Sequence, residues 1–187
     1  MPFRESSDNY DSRDPDASAG SLPPFSPEPL PDRQHCLCFT GHRLIPEKDR
    51  PALSASLDEA LREAYGQGFR GFFSGAALGF DLLAAQAVLR LRDRFPDARL
   101  ILALPCPSQA DRWAQTDRQL YNRMLSRADQ VILVSPAYFE GCMQKRNRFM
   151  VDRSSLCVCY MKHCRGGTWY TVSYAYDQGL EIRNLTV

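Results

Sequence analysis

The segment Phe72-Phe73-Ser74-Gly75-Ala76-Ala77-Leu78-Gly79-Phe80-Asp81 indicates the fold of this chain more clearly than any other. An apolar run starting at Gly68 ends in a small-residue loop, and a helical pattern starts at about Gly79. A strand that ends in Ser and Gly and leads into a helix is how α/β proteins bind anions, because the free N–H groups of the helix point at the anion. Similar junctions occur at Phe39-Thr40-Gly41-His42-Arg43 and Arg165-Gly166-Gly167-Thr168. Three such loops after strand-like runs are a much stronger indication than one.

Outside these loops, strand-like and helix-like segments alternate. Predicted strands cover 35–40, 69–74, 99–104, 130–134, 156–160 and 181–185, and predicted helices cover about 48–67, 79–95, 108–127 with a break near Thr116, 142–154 and 168–178. Such alternation predicts parallel β-α-β units with right-handed crossovers. Near-continuous apolar strands are typical of a sheet that helices cover on both faces. We therefore predict an α/β fold, a Rossmann-like three-layer sandwich with a mostly parallel sheet of about six strands.

Composition changes near residue 34. Residues 1–34 hold 7 of the 13 prolines and few aliphatic residues, so we predict a disordered N-terminal tail followed by one domain over 35–187. The tail has 3 basic and 7 acidic residues, and the remainder has 20 basic and 15 acidic, a net charge of +5. The chain has neither the apolar core of a secretory signal nor a run of about 18 apolar residues. These features predict a cytoplasmic protein without a membrane partner.

The net charge and the spacing of the cysteines restrict the classes of partner and of metal site that this chain is expected to have. A net charge of +5 suits a phosphate-bearing small molecule, whereas the lack of a clustered basic stripe argues against nucleic acid. The seven cysteines are odd in number and include no C-x-x-C pair, which predicts buried free thiols and no metal site. Cys106 and Cys164 lie near loops and are the candidates for reactivity. Homo-oligomerisation stays open.

The three loops supply the candidate ligand-binding residues, because the carboxyl ends of parallel strands meet at one sheet edge. Arg43 offers a fork of donors to phosphate, Thr168 can cap the last helix, and Asp81 can accept from a ribose hydroxyl. Asp81 is also a candidate catalytic residue, with Asp152 as an alternative source of a carboxylate. An acid in a first helical turn, as at Asp81, is however favoured by the helix dipole alone. Ordinary capped turns without a ligand are the alternative throughout. The full candidate set is Thr40, Gly41, His42, Arg43, Ser74, Gly75, Ala76, Gly79, Asp81, Gly166, Gly167 and Thr168.

Other polar and aromatic residues are weaker candidates. The basic residues between 145 and 148 are interpreted as a solvated helix face, and Trp113 and Tyr121 as core residues more often than cleft residues. We also expect valine at Gly75 or at Gly167 to block the same ligand while the fold persists, because a side chain there would intrude where backbone approaches phosphate.

Together these motifs resemble the SLOG superfamily, named for its Smf/DprA and LOG members, and specifically its YpsA-like branch. The resemblance runs from about Cys36 to the end of the chain. It rests on the three loops, on the Pro105 to Trp113 stretch, and on Ala128-Asp129, Arg146-Asn147, Met150-Val151-Asp152 and Tyr174-Ala175. It implies a Rossmann-like domain that binds a nucleotide or nucleotide-derived ligand, such as AMP, ADP-ribose or an NAD-related molecule, with no obligatory cofactor.

One departure bears on catalysis. LOG-type phosphoribohydrolases use a P-G-G-x-G-T-x-x-E pattern, whose glutamate takes part in cleaving the N-glycosidic bond. Here Arg165 replaces the proline, and Thr171 stands three positions after Thr168. A hydroxyl cannot replace a carboxylate as general base. This favours a sensor or regulatory module. The alternatives are a LOG-like hydrolase of nucleotide N-glycosidic bonds, and an interaction or single-stranded-DNA-handling protein related to DprA.

Overall fold

The computed structural model describes residues 29–186, and this part of the chain forms one parallel sheet with five α-helices. The strands are β1 (Cys36–Gly41), β2 (Gly71–Ser74), β3 (Arg99–Leu104), β4 (Gln130–Leu133), β5 (Leu156–Tyr160) and β6 (Glu181–Asn184). The helices are α1 (Arg50–Gly66), α2 (Phe80–Arg94), α3 (Gln115–Arg127), α4 (Cys142–Val151) and α5 (Gly166–Asp177). The third helical stretch is broken, but before the predicted position near Thr116: a short 3-10 turn, Pro107–Ala110, is followed by a loop over 111–114, and Thr116 lies in the first turn of α3.

The strand order in space is β4-β3-β2-β1-β5-β6, and every pair is parallel. The chain therefore builds outward from β1 in one direction through β2, β3 and β4, and then starts again on the other side of β1 with β5. This switch point lies between β1 and β5. In open α/β sheets, ligands bind beside the carboxyl ends of the strands at such a point.

Helices cover both faces of the sheet, as predicted. Alternate side chains of β1 point to opposite faces, with Leu37 and Phe39 in one core cluster and Cys36 and Cys38 in the other. The first cluster contains buried residues of α1, α2 and α3, and the second contains buried residues of α4 and α5. The α/β three-layer sandwich is thereby confirmed.

The seven cysteines are free thiols, and all except Cys164 are buried. Burial raises the pKa of Cys159 to about 12, so this thiol stays protonated at neutral pH. Cys106, a candidate for reactivity, is fully buried at the end of β3. Among residues 29–186, no group of three or more His, Cys, Asp or Glu side chains could hold a metal ion. No helix in the same range has the length and hydropathy needed to cross a membrane.

Of the predicted tail over residues 1–34, residues 1–28 lie outside the described residues. Residues 29–34 contact the domain. The Pro29 carbonyl accepts a hydrogen bond from Arg99 Nη1 at 2.9 Å, and Leu30 packs against the second core cluster. Arg33 Nη2 donates to the carbonyl of Gln178 after α5.

Candidate functional site

A cleft of about 370 Å³ lies at the carboxyl ends of β1 and β5, beside the N-terminus of α5. We call it the main cleft. Its walls come from the loop after β1, the start of α2, the inner face of α4 and the start of α5. The lining residues are Thr40, Gly41, His42, Arg43, Ala77, Asp81, Met143, Arg146, Asn147, Arg165, Gly166, Gly167 and Thr168.

The structure brings together eight of the twelve predicted site residues in this cleft. They are Thr40, Gly41, His42, Arg43, Asp81, Gly166, Gly167 and Thr168. Seven of them come from the end of β1 and from the segment after β5, more than one hundred residues apart in sequence, and these meet because β1 and β5 are neighbours in the sheet. The eighth, Asp81, comes from the start of α2. This is the convergence that the strand pattern predicted.

The other four predicted residues, Ser74, Gly75, Ala76 and Gly79, do not line the main cleft and instead support it from below. The Ser74 hydroxyl is buried, where it donates to the Asp81 carbonyl at 2.9 Å and accepts from the Ala76 N–H. Gly79 has φ +85°, and a Cβ there would overlap the carbonyl group of Arg43. Gly79 is therefore small because protein backbone, rather than ligand, lies against it.

Gly75 and Ala76 shape the environment of Asp81. Ala76 has φ +49°, a left-handed conformation that is uncommon for a residue with a side chain. The backbone N–H groups of Gly75 and Ala77, on either side of it, donate to the Asp81 carboxylate. Burial nevertheless raises the pKa of Asp81 to about 6, and the nearby positive charge of Arg146 offsets only part of this effect.

Arg146 is the buried cation beneath the cleft, with an exposed fraction of 4%. Its Nη1 donates to the carbonyls of Gly75 and Ala103, and its Nε donates to Asn147 Oδ1 at 2.8 Å. Desolvation lowers the pKa of Arg146, and the Asp81 carboxylate acts in the opposite direction. A Cβ on Gly75 would overlap this guanidinium and lie 2.7 Å from Asp81 Oδ2. Gly75 therefore lets a buried cation and a buried carboxyl approach each other.

Asn147 connects α4 to α5. Its Nδ2 donates to Thr171 Oγ1 at 2.8 Å, and that hydroxyl donates to the Gly167 carbonyl at 2.9 Å. Thr171, where the motif comparison places the glutamate of LOG-type enzymes, is 1% exposed and is a buried hydroxyl whose bonds stay within the protein. The cleft carboxyl comes from Asp81, at the start of α2.

The N-terminus of α5 faces the cleft and is open. Gly166 has φ +78°, and a Cβ on Gly166 or Gly167 would meet no atom within 4 Å. Helix α5 has 12 residues, so the positive end of its dipole and its free N–H groups act on this space. Arg165, immediately before the helix, also lines the cleft.

His42 lies at the edge of the cleft. Its Nε2 accepts a hydrogen bond from the backbone N–H of Lys162 at 2.8 Å, which corresponds to a neutral ring protonated on Nδ1. Burial, followed by the charges of His163 and Lys162, lowers the pKa of His42. The imidazole thus ties the loop after β1 to the loop after β5.

Sequence reasoning missed Arg146, Asn147, Met143, Arg165 and Ala77 as lining residues. For Arg146 a signal was present. It lies four residues after Cys142 and four before Met150, both of which are buried, so the apolar periodicity of α4 places the arginine on the inner face. A charged residue on an apolar helical stripe has a specific partner more often than a residue on a solvated face does.

Comparison with known proteins identifies the family. The model of the YspA SLOG family, labelled YpsA, matches residues 40–182 of this chain. The chain belongs to the YspA SLOG family. The matched residues include all twelve positions predicted from the three loops.

Two curated proteins are similar to part of this chain. The chain is 33% identical over 116 residues to the uncharacterized SPbeta prophage-derived protein YoqJ of Bacillus subtilis, covering 56% of this chain and 68% of that protein. It is 31% identical over 110 residues to a UPF0398 protein of Bacillus cereus, covering 57% of this chain and 59% of that protein. This second match therefore spans less than two thirds of the relative's length.

The fold of this SLOG protein is also found in solved structures. DNA processing protein A from Streptococcus pneumoniae superposes with a TM-score of 0.60 and 14% identity, covering 81% of this chain and 50% of that one. The Helicobacter pylori protein of the same name gives a TM-score of 0.59 with 15% identity, covering 82% of this chain and 65% of that one. At these identities the likeness concerns the fold.

Proposed function

We propose that this SLOG domain binds a phosphate-bearing, nucleotide-derived small molecule in the main cleft, as a sensor or regulatory module. The observation that carries the proposal is the convergence of the open α5 N-terminus with Arg43 and Arg165 on one cleft at the sheet switch point. Backbone N–H groups at a helix N-terminus and arginine forks are the two donor types that phosphate binding uses most.

The charged groups that line the cleft indicate which part of the ligand each of them would bind. The lining includes three donor groups, Arg43, Arg165 and the start of α5, together with the buried Asp81 carboxyl. In this proposal the donor groups bind the phosphate and a sugar hydroxyl donates to Asp81. A volume of about 370 Å³ falls within the usual range of small-molecule sites.

Isothermal titration calorimetry with AMP and ADP-ribose tests the proposal. Arg43→Ala should weaken binding by about 10- to 150-fold, the effect of losing a charge-assisted hydrogen bond. Arg118→Ala, an exposed arginine on α3 outside the cleft, is the matched control and should bind as wild type does. Equal affinities for the two variants would remove Arg43 from the site.

A second test uses the open space at Gly167. A Cβ there meets no protein atom within 4 Å and Gly167 lines the cleft, so Gly167→Val should abolish binding while the melting temperature stays near wild type. Gly66→Val at the end of α1, where a Cβ also meets nothing within 4 Å, is the control and should bind normally. If neither nucleotide binds the wild-type chain, the proposal fails.

Turnover is a second candidate function, and Asp81 is the observation in its favour. A carboxyl with its pKa raised to about 6 inside a cleft is suited to proton transfer near neutral pH. The buried Thr171 argues the other way, since it occupies the position of the LOG glutamate. We expect no appreciable release of free base from AMP, measured by chromatography. Multiple turnovers that Asp81→Asn abolishes would replace the sensor proposal with a hydrolase.

Single-stranded DNA is the alternative class of ligand to be tested. The DNA processing protein A from Helicobacter pylori, whose fold this chain shares, has a single-stranded DNA binding mode. A fluorescent oligodeoxythymidine in the same buffers as AMP tests whether this chain shares that property. Tight oligonucleotide binding that AMP fails to displace would favour the nucleic-acid alternative over the nucleotide proposal.

A further inference from the structure

A second cavity of about 470 Å³ adjoins the main cleft, and two residues, Arg43 and Met143, line both. We call it the side compartment. Its other walls come from the loop between β3 and α3 and from the loop after β4, which contribute Gln109, Arg112, Trp113 and Tyr138. A ligand held by phosphate in the main cleft can therefore extend past Arg43 into this compartment.

The side compartment has the chemistry of a surface for a flat aromatic group. Trp113 is half-buried and held edge-on by Tyr121, with ring centroids 5.4 Å apart. Tyr138 is 68% exposed at the mouth, and Met143 supplies a polarisable side chain between the two cavities. Aromatic rings stack on nucleobases whatever the base, and a fixed ring loses little entropy in doing so.

Gln109 lines this compartment and carries one buried polar atom without a hydrogen-bond partner in the described part of the chain. Gln109 is buried, and its Nε2 donates to the carbonyls of Gly75 and Ala76, each at 3.1 Å. Its Oε1, on the other side of the amide, is buried without a hydrogen-bond partner among residues 29–186. A buried acceptor in this state is costly, and a donor on the ligand would remove that cost. Nucleobases carry such donors as amino or ring N–H groups.

We propose that the side compartment binds the nucleobase of the ligand, stacked against Trp113 and Tyr138, with a base N–H group donating to Gln109 Oε1. This inference rests on the proposed function, because the phosphate in the main cleft sets the position of the base. It restricts the proposed ligands to molecules that carry a nucleobase as well as a phosphate. The site selects a complete nucleotide over a sugar phosphate of the same charge.

The test compares AMP with ribose 5-phosphate, which keeps the phosphate and the sugar and lacks the base. By calorimetry on the full chain, AMP should bind about 5- to 150-fold more tightly than ribose 5-phosphate, the effect of stacking one base. Trp113→Leu and Tyr138→Ala should each lower the affinity for AMP and leave that for ribose 5-phosphate unchanged. Tyr138 is exposed, so its substitution tests the proposal even if Trp113→Leu disturbs packing. Tyr176→Ala, on an exposed tyrosine of α5 outside both cavities, is the control.

Tryptophan fluorescence supplies a readout that would not respond to the ligand if Trp113 had only a structural role. The chain has two tryptophans, Trp113 and Trp169. In a Trp169→Phe background, AMP should quench the remaining Trp113 emission, whereas saturating ribose 5-phosphate should not. Equal affinities for the two ligands, with no change in the Trp113 and Tyr138 variants, would overturn the inference and leave phosphate binding in the main cleft intact. Failure of both ligands to bind would overturn the proposed function as well.

Discussion

Replacing Asp81 by Asn removes a buried carboxyl from the floor of the main cleft, and we expect its effect on stability to depend on pH. Burial raises the pKa of Asp81 from 3.8 to about 6, so the folded chain holds this proton more tightly than the unfolded chain does. The resulting stabilisation is fully present below the unfolded-state pKa and is lost as the pH rises through the folded-state value. The difference between the two pKa values corresponds to about 3 kcal/mol in total.

Urea denaturation followed by circular dichroism measures this contribution. Between about pH 4.5 and about pH 7.5, the unfolding free energy of Asp81→Asn relative to wild type should shift in favour of the variant by about 2 kcal/mol. Any cost of placing an amide beside Arg146 is the same at both pH values and cancels in this comparison. Asp177→Asn, which removes an exposed carboxyl at the end of α5, is the matched control and should show a much smaller shift.

Two results would refute the reasoning. A difference that stays constant with pH would mean that Asp81 titrates alike in the folded and unfolded chains. A shift in the opposite direction would mean that Arg146 and the N–H groups of Gly75 and Ala77 outweigh desolvation. In that case the carboxyl would be a fixed anion, and the proton-transfer role considered for Asp81 would lose its physical basis.

Two further predictions concern packing. Gly75→Ala should lower the unfolding free energy by about 1–3 kcal/mol, because its Cβ overlaps the buried Arg146 guanidinium, whereas Gly66→Ala, in open space within α1, should raise it by about 0.5–1 kcal/mol. Equal effects of the two substitutions in urea denaturation would show that the structure around Gly75 relaxes at no cost. Deleting residues 1–28 should leave the melting temperature unchanged, whereas deleting 1–34 should lower it by about 2–4 °C for each kcal/mol lost, because Leu30 packs on the second core cluster. A large drop on the shorter deletion would contradict the composition argument for the tail.

The structure changes the expected effect of valine substitutions at Gly75 and Gly167. From the sequence, valine at Gly75 and at Gly167 was expected to act alike, by blocking ligand while the fold persists. Gly167 fits this expectation in geometry, since a side chain there meets open cleft space. At Gly75 the side chain would meet Arg146 and Asp81 instead, so the main effect is predicted on stability. The two positions look the same in the sequence because each follows a strand end.

The strand and helix order, the parallel sheet and the placement of Thr40 to Arg43 and Gly166 to Thr168 at one edge can all be predicted from the amino-acid sequence. Residue periodicity, small-residue loops and chain direction are enough to predict them. The packed structure is needed to show which loop residues line the cleft and which lie behind them. It turned Ser74, Gly75 and Ala76 into support for Asp81, and it brought Arg146 under the same floor from 71 residues away. Those outcomes depend on how α4 and α5 pack across β1 and β5. Side-chain spacing along α4 indicates which of its faces is buried, but it does not indicate which residues of other segments that face contacts.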